Sequence, residues 1–284
     1  MFRIFTDAAA NLPERLLQEN DIDVIPVSIC IDGEELDMSA GFDGADFYNR
    51  MRSGAPTNTA MPAMGVFIDL FTAALKRGED VLYIAMSGGI SGTAALGASV
   101  AAELREEYPD RKLAVIDTKG ASLGEGFPAL YAARLRREGV DFDEVVRRTE
   151  DNRDHMHQVF TVDNLAYLKR TGRLFSAAVK VTNVLNVKPI LIGDEDGHIV
   201  LRHMNVGRRR SLDTLAARYR SECTDMAVRV GLAHADCAED AAYVEKKLRE
   251  SGCTGEILTV LYEPVTGSHV GPGTVALFFY GEER

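Results

Sequence analysis

The chain of 284 residues is 46% hydrophobic and 26% charged, a globular balance, with a formal net charge of −11. An acidic chain lacks the basic field that a nonspecific nucleic-acid surface needs, and no run of about eighteen apolar residues offers an integral membrane segment. The opening Met1-Phe2-Arg3-Ile4-Phe5-Thr6 has no signal-peptide pattern, and Cys30, Cys223, Cys237 and Cys253 form no C-x-x-C pair, so a reduced cytoplasmic protein without zinc knuckle, disulfide framework or bound cofactor is expected.

Strand-like and helix-like segments alternate along the chain. Phe2–Thr6 reads as a strand, Pro13–Glu19 as a helix, and Val24–Ile31 as one strand running to a turn at Asp32-Gly33. A helix near Asp46–Arg52 precedes Gly54–Pro62, which is a loop by composition. Met64–Lys76 places Phe67, Leu70, Phe71, Ala74 and Leu75 at helical spacing. Then come a strand at Val81–Ala85, a helix from Thr93, a strand at Leu113–Ile116 and helices at Leu123–Arg137 and Phe142–His155. This alternation predicts βαβ units and a mostly parallel sheet.

Past His155 the register changes. Gln158–Val162 reads as a strand, Leu165–Lys169 as a helix and Phe175–Leu185 as an apolar helix. Pro189–Ile192 and Ile199–Met204 flank a Gly193–Gly197 turn as an antiparallel pair. Arg208–Arg220 is helical, Ala227–Ala233 a strand, and Asp236-Cys237-Ala238-Glu239 reads as a capping box for the Ala238–Arg249 helix. Ile257–Tyr262 and Val275–Tyr280 are strands. The fold class predicted is α/β in two domains: residues 1–155 around a mostly parallel sheet flanked by helices, and residues 156–284 around a mixed sheet, with a ligand between them.

Between the Val81–Ala85 strand and the Thr93 helix lies Ser87-Gly88-Gly89-Ile90-Ser91-Gly92-Thr93. Glycines let the backbone approach a ligand, the hydroxyls add donors, and the helix points its free N–H groups at the same place, which suits an anion. Ser91 as a plain helix cap is the alternative. No P-loop or G-x-G-x-x-G fingerprint occurs, and Gly89-Ile90-Ser91-Gly92-Thr93 misses the hydrolase elbow by its last residue.

Among the histidines, His155 and His157 sit at a domain boundary, and His198 and His203 on the hairpin. His234 ends a strand. His269 falls in the glycine-rich stretch Gly267–Gly273, read as a loop with no apolar face to bury an imidazole, where it can bind an acid and titrate near neutrality. Arg173, beside Gly172, is either a surface guanidinium or a fork for an anion or partner. Asp7 either caps the next helix or lines the same crevice.

Taken together, Thr6-Asp7 with Asn11-Leu12-Pro13, Thr59 with Pro62, the Ser87–Thr93 turn, Val162-Asp163-Asn164-Leu165 with Gly172-Arg173, Val187-Lys188-Pro189-Ile190 and His269-Val270-Gly271-Pro272-Gly273 resemble the DegV family nearly end to end. The resemblance implies a non-catalytic subunit that holds a long-chain fatty acid between two α/β domains and presents its carboxylate to a separate ATP-binding fatty acid kinase subunit. It would put Thr59, Ser91 and His269 around the carboxylate with Gly92 and Thr93 in the turn beneath, and Arg173 where the kinase subunit docks. Departures from the family pattern are Ala60 and Met61 in place of Ser-Gln, Gly88 in place of a second serine, and Thr171 in place of a glycine.

Physics agrees with such a ligand. Each buried CH₂ is worth about 0.8 kcal/mol, so a tail of about sixteen carbons contributes roughly 12 kcal/mol gross, while hydroxyl, imidazole and backbone donors orient the head. Phe67, Phe71, Leu96, Val100, Phe175, Val179 and Val184 are the expected tunnel lining. Two other classes compete: a serine hydrolase using Ser91, His269 and Asp7, and a sensor of another anionic lipid or phosphate ligand.

Overall fold

A computed structural model describes residues 1–38, 41–175 and 186–284. In chain order the first elements are β1 (Phe2–Asp7), α1 (Glu14–Glu19), β2 (Ile22–Ile25), β3 (Ser28–Ile31), β4 (Glu34–Glu35), α2 (Gly44–Arg52), β5 (Thr57–Ala60) and α3 (Met64–Lys76). They are followed by β6 (Asp80–Ala85), α4 (Thr93–Glu107), β7 (Leu113–Asp117), α5 (Leu123–Arg137), α6 (Phe142–Asp154), β8 (Met156–Thr161) and α7 (Ala166–Arg170). The remainder is β9 (Val187–Gly193), β10 (Ile199–Val206), α8 (Arg208–Glu222), β11 (Val230–His234), α9 (Ala238–Glu250), β12 (Ile257–Leu261), α10 (Pro264–Val270) and β13 (Val275–Tyr280). The chain forms two compact units, one of Met1–Ser28 with Ala60–Asp154 and one of Ile29–Thr59 with His155–Arg284.

The first unit is built on a parallel sheet of order β2-β1-β6-β7. β6 is a continuous apolar run because both its faces are covered. α3 and α4 bury Phe67, Phe71, Val100 and Leu104 against Phe5, Val81 and Tyr83. A Cβ on Gly97 would lie 2.8 Å from the Tyr83 ring, so the missing side chain is what lets α4 seat so close.

The second unit carries a mixed sheet of order β10-β9-β8-β13-β11-β12, parallel between β11 and β12 and antiparallel elsewhere. The predicted β9–β10 hairpin is present. α8 and α9 bury Leu212, Leu215, Tyr219, Val244 and Leu248 against Val230, Leu232, Leu277 and Phe279. β3, β4 and β5 form a separate small sheet.

Several local expectations are corrected. The single strand Val24–Ile31 is two strands, because Pro26 has no N–H to give a ladder; β2 ends at Ile25 and β3 joins the small sheet. Ile29–Thr59 thereby groups with the later residues, whereas the sequence suggested one cut near His155. Thr57–Ala60, read as loop, is β5: its Thr-Asn-Thr-Ala sequence has no apolar alternation, and pairing within the small sheet makes it a strand. The Asp236 capping box is absent. Cys237 holds the N-cap position without a side-chain bond, and the Asp236 carboxylate pairs with Arg52 instead. The Phe175–Leu185 helix lies, from residue 176 onward, outside the described residues.

Candidate functional site

The Ser87–Thr93 turn follows β6 and opens α4. Ser87 is fully buried; its carbonyl accepts the N–H groups of Ile90 (3.2 Å) and Ser91 (3.0 Å), and its hydroxyl accepts that of Gly89 (3.1 Å). The turn is therefore prefolded around one serine. Gly92 takes the N-cap position of α4, and Ser91 stands just before it, its Oγ 2.6 Å from Thr93 Oγ1 and accepting the Thr93 N–H at 3.3 Å. Ser91 and Thr93 thus present two coupled hydroxyls at a helix N-terminus, where an anion is favoured.

Two neighbours that the sequence reading did not place shape this turn. Asp117, at the end of β7, accepts the Gly88 N–H at 3.0 Å, so that part of the turn already serves a carboxylate of the protein itself. A Cβ on Gly88 would lie 2.6 Å from the same Asp117 oxygen, so a side chain here would require that carboxylate to shift. Met61 places its sulfur where a Cβ on Gly92 would come within 2.8 Å.

Thr59 and His269 come together in the second unit. Thr59 Oγ1, on β5, lies 3.0 Å from His269 Nε2. His269 occupies the last turn of α10, correcting the loop expectation: Pro264 starts the helix, and the Glu263 carboxylate accepts the N–H groups of Val265 and Thr266. α10 rests on α2, where Tyr48 donates to the Tyr262 carbonyl at 2.9 Å and Gly267 has no Cβ to meet the Tyr48 hydroxyl.

Burial, with the positive charges of Arg173 and then Arg170, pulls the His269 pKa from 6.5 to about 4. The imidazole is neutral at neutral pH, so titration there, expected from the sequence, does not occur. Its Nδ1 is buried without a hydrogen-bond partner. Arg173 therefore lies near enough to His269 to bias it, and its own guanidinium donates to the Thr171 carbonyl. Arg170 was missed by the sequence reading. Its Nη2 donates from α7 to Thr57 Oγ1 at 3.2 Å, bringing a cation against the strand that carries Thr59.

The tunnel lining is revised. Phe67, Phe71 and Val100 are packed inside the first unit's core, with Phe67 5.5 Å and Phe71 6.1 Å from the Tyr83 ring between centroids. Leu96 packs at that core's margin. Phe175 is 62% exposed and stacks on His198, while Val179 and Val184 lie outside the described residues.

Nor do the residues of the hydrolase alternative show an acid–imidazole bond. Asp7 accepts the Ala9 N–H with one oxygen, and the Tyr83 hydroxyl and Met86 N–H with the other. A triad needs the carboxylate on the imidazole Nδ1, the atom left bare in His269. Among the other histidines, His155 meets the Gly281 carbonyl and His157 meets Glu222 and the Glu282 carbonyl, which are structural roles.

A family model described as uncharacterised protein, DegV family, matches residues 1–282. The chain belongs to the DegV family. A DegV domain-containing protein of Clostridium perfringens is 33% identical over 286 residues, spanning 100% of this chain and 98% of that one. Among solved DegV structures, one from Thermus thermophilus, described by its fatty acid binding, shares 27% identity and a TM-score of 0.89, with 99% of each chain covered. DegV of Bacillus subtilis, described as a fatty acid binding protein, shares 25% identity and a TM-score of 0.86 over 99% of each chain. The mixed α/β architecture is thus the DegV fold. Among the described residues, no helix is long and apolar enough to cross a membrane.

Proposed function

We propose that this DegV protein binds a long-chain fatty acid and presents its carboxylate to a separate ATP-dependent kinase subunit for acyl phosphate formation. In this reading Thr59, His269, Ser91, Gly92 and Thr93 are the headgroup donors. The carrying observation is the Thr59–His269 pair, in which a neutral imidazole bonds the threonine hydroxyl. Such a pair can orient a hydroxyl toward an acid without itself competing as a counter-charge. Arg170 and Arg173 add positive potential around His269, which favours an acid and, more strongly, the extra charge of an acyl phosphate. Arg173 is the residue assigned to kinase docking.

The fatty acid binding described for the Thermus and Bacillus relatives supports the same reading. Phosphoryl transfer rests on positioning and charge stabilisation, with nucleotide and Mg²⁺ supplied by the partner. Mass spectrometry of gently denatured recombinant protein tests the first half: release of a long-chain fatty acid is expected, and a preparation carrying none, and unable to take any up, would sink it. Adding a bacterial fatty acid kinase subunit and ATP tests the second half through appearance of acyl phosphate.

A further inference from the structure

Asp7 and Glu125 are both buried in the first unit, 1% and 0% exposed. Glu125, on α5, accepts the Thr6 hydroxyl at 2.6 Å and the Asp7 N–H at 3.2 Å through Oε1, while its Oε2 is buried and receives no N–H or other O–H donor, and the Asp7 and Glu125 carboxyls lie within hydrogen-bonding reach of each other. Asp7, at the end of β1, accepts three donors: the Ala9 N–H at 3.0 Å, the Tyr83 hydroxyl at 3.1 Å and the Met86 N–H at 3.2 Å. Among the described residues, the groups bonded to the pair are the Thr6 hydroxyl, the Asp7, Ala9 and Met86 amides and the Tyr83 hydroxyl, and none of these is a cation. Two carboxyls packed together out of water cannot both ionise. The three donors stabilise the anion on Asp7, which leaves the proton to Glu125.

Asp7 also reaches the functional site. The Met86 amide it holds immediately precedes Ser87, around which the whole turn to Ser91 is folded. We propose that Asp7 and Glu125 share a single proton, carried by Glu125, and that this pair is a positioning device that sets the Ser87–Thr93 turn for acid binding. The proposal deepens the fatty-acid reading and rests on it for the ligand.

Burial pushes both carboxyl pKa values up, Glu125 well up, with the Asp7 charge adding to the rise. A raised carboxyl pKa means that the unfolded chain releases the proton first as pH climbs. The pair's stabilisation is therefore complete below the ordinary carboxylate range and is lost as pH rises through Glu125's raised value. Ionising Glu125 sets a second charge against Asp7 and loosens its hold on Met86, so acid affinity falls on the alkaline side.

Infrared spectroscopy of the ligand-free protein near neutral pH is expected to show a protonated carboxyl stretch that is missing from Glu125→Gln. In the unaltered protein, fading of that band with rising pH should run in parallel with loss of affinity for a fluorescent long-chain fatty acid, by roughly tenfold or more. Glu125→Gln, locked in the neutral form, should have a flat profile over the same range. Absence of the band, or affinity indifferent to its loss, overturns the proposal without any variant having to fold. A band that titrates as described, in a protein that takes up no fatty acid at any pH, would instead overturn the ligand reading and leave the shared proton standing.

Discussion

His269 Nε2 sits 3.0 Å from Thr59 Oγ1, tying the last turn of α10 to strand β5. Residues 210 positions apart in the chain thus act as one polar group. Because the ring is neutral, the bond is an ordinary hydrogen bond whose direction depends on the tautomer, and a proton on Nε2 is the form that leaves the threonine proton free for another partner.

Removing that hydroxyl isolates its contribution. Thr59→Val keeps the β-branched shape on β5 and is expected to weaken fatty acid affinity roughly ten- to hundredfold, the value of about 1.5–3 kcal/mol for a hydrogen bond to a charged group. Titration calorimetry against a long-chain acid reads it. Unchanged affinity would remove Thr59 from the site.

The depressed His269 pKa has a signature in stability. The unfolded ring takes its proton near 6.5 and the folded one only near 4, so the stabilisation from burying the neutral ring is whole above 6.5 and lost as pH falls toward 4. That loss amounts to at most about 3 kcal/mol. Denaturant unfolding of the native chain minus that of His269→Asn, followed across this window, should slope downward with acidification, and a level difference would contradict the neutral imidazole.

Gly267 is required by Tyr48. A Cβ at 267 would lie 2.1 Å from the Tyr48 hydroxyl oxygen, so Gly267→Ala is expected to destabilise by about 1–3 kcal/mol through overpacking. Tyr48→Phe alone should cost about 1 kcal/mol for the bond to the Tyr262 carbonyl. Combined, the two changes should cost less than their sum, and simple additivity in a double-mutant cycle would refute the contact.

Gly88 is under the same kind of constraint from Asp117. Gly88→Ser, which introduces the hydroxyl that DegV relatives were expected to carry there, should lower the melting temperature, since the new Cβ would lie 2.6 Å from the Asp117 carboxylate. Asp117→Ala in the same chain should recover part of the loss. No recovery would mean that Asp117 is not what excludes a side chain at 88.

How much of this was legible depended on whether packing left a trace in local pattern. Met64–Lys76, Leu123–Arg137 and Val275–Tyr280 were read to the residue, because each buries a regular apolar face or run. The polar β5 gave no such trace, and Pro26 was a visible breaker inside an apolar stretch whose hydrophobicity outweighed it. Of the candidate site, Ser91, Thr93 and His269 stand out by the residues around them and Thr59 only through the family's ordered motifs, but the burial of His269 leaves no trace in the sequence, since three glycines disguise a helix held down by Glu263. Arg170 had nothing to distinguish it from the lysine beside it. Glu125 did carry a signal, a lone acid between Gly124 and Gly126 in an apolar helix start, which points to a carboxyl turned inward.

Pro26 also bears on how the polypeptide is made. Once the chain leaves β2 it supplies Ile29–Thr59, which must wait until β12 and α10 have emerged from the ribosome before Tyr48 meets Tyr262 and Thr59 meets His269. A fragment cut after Asp154 would carry that strap with nothing to fold onto, so production of either half as a soluble piece calls for excising or transplanting residues 29–59 rather than a single truncation.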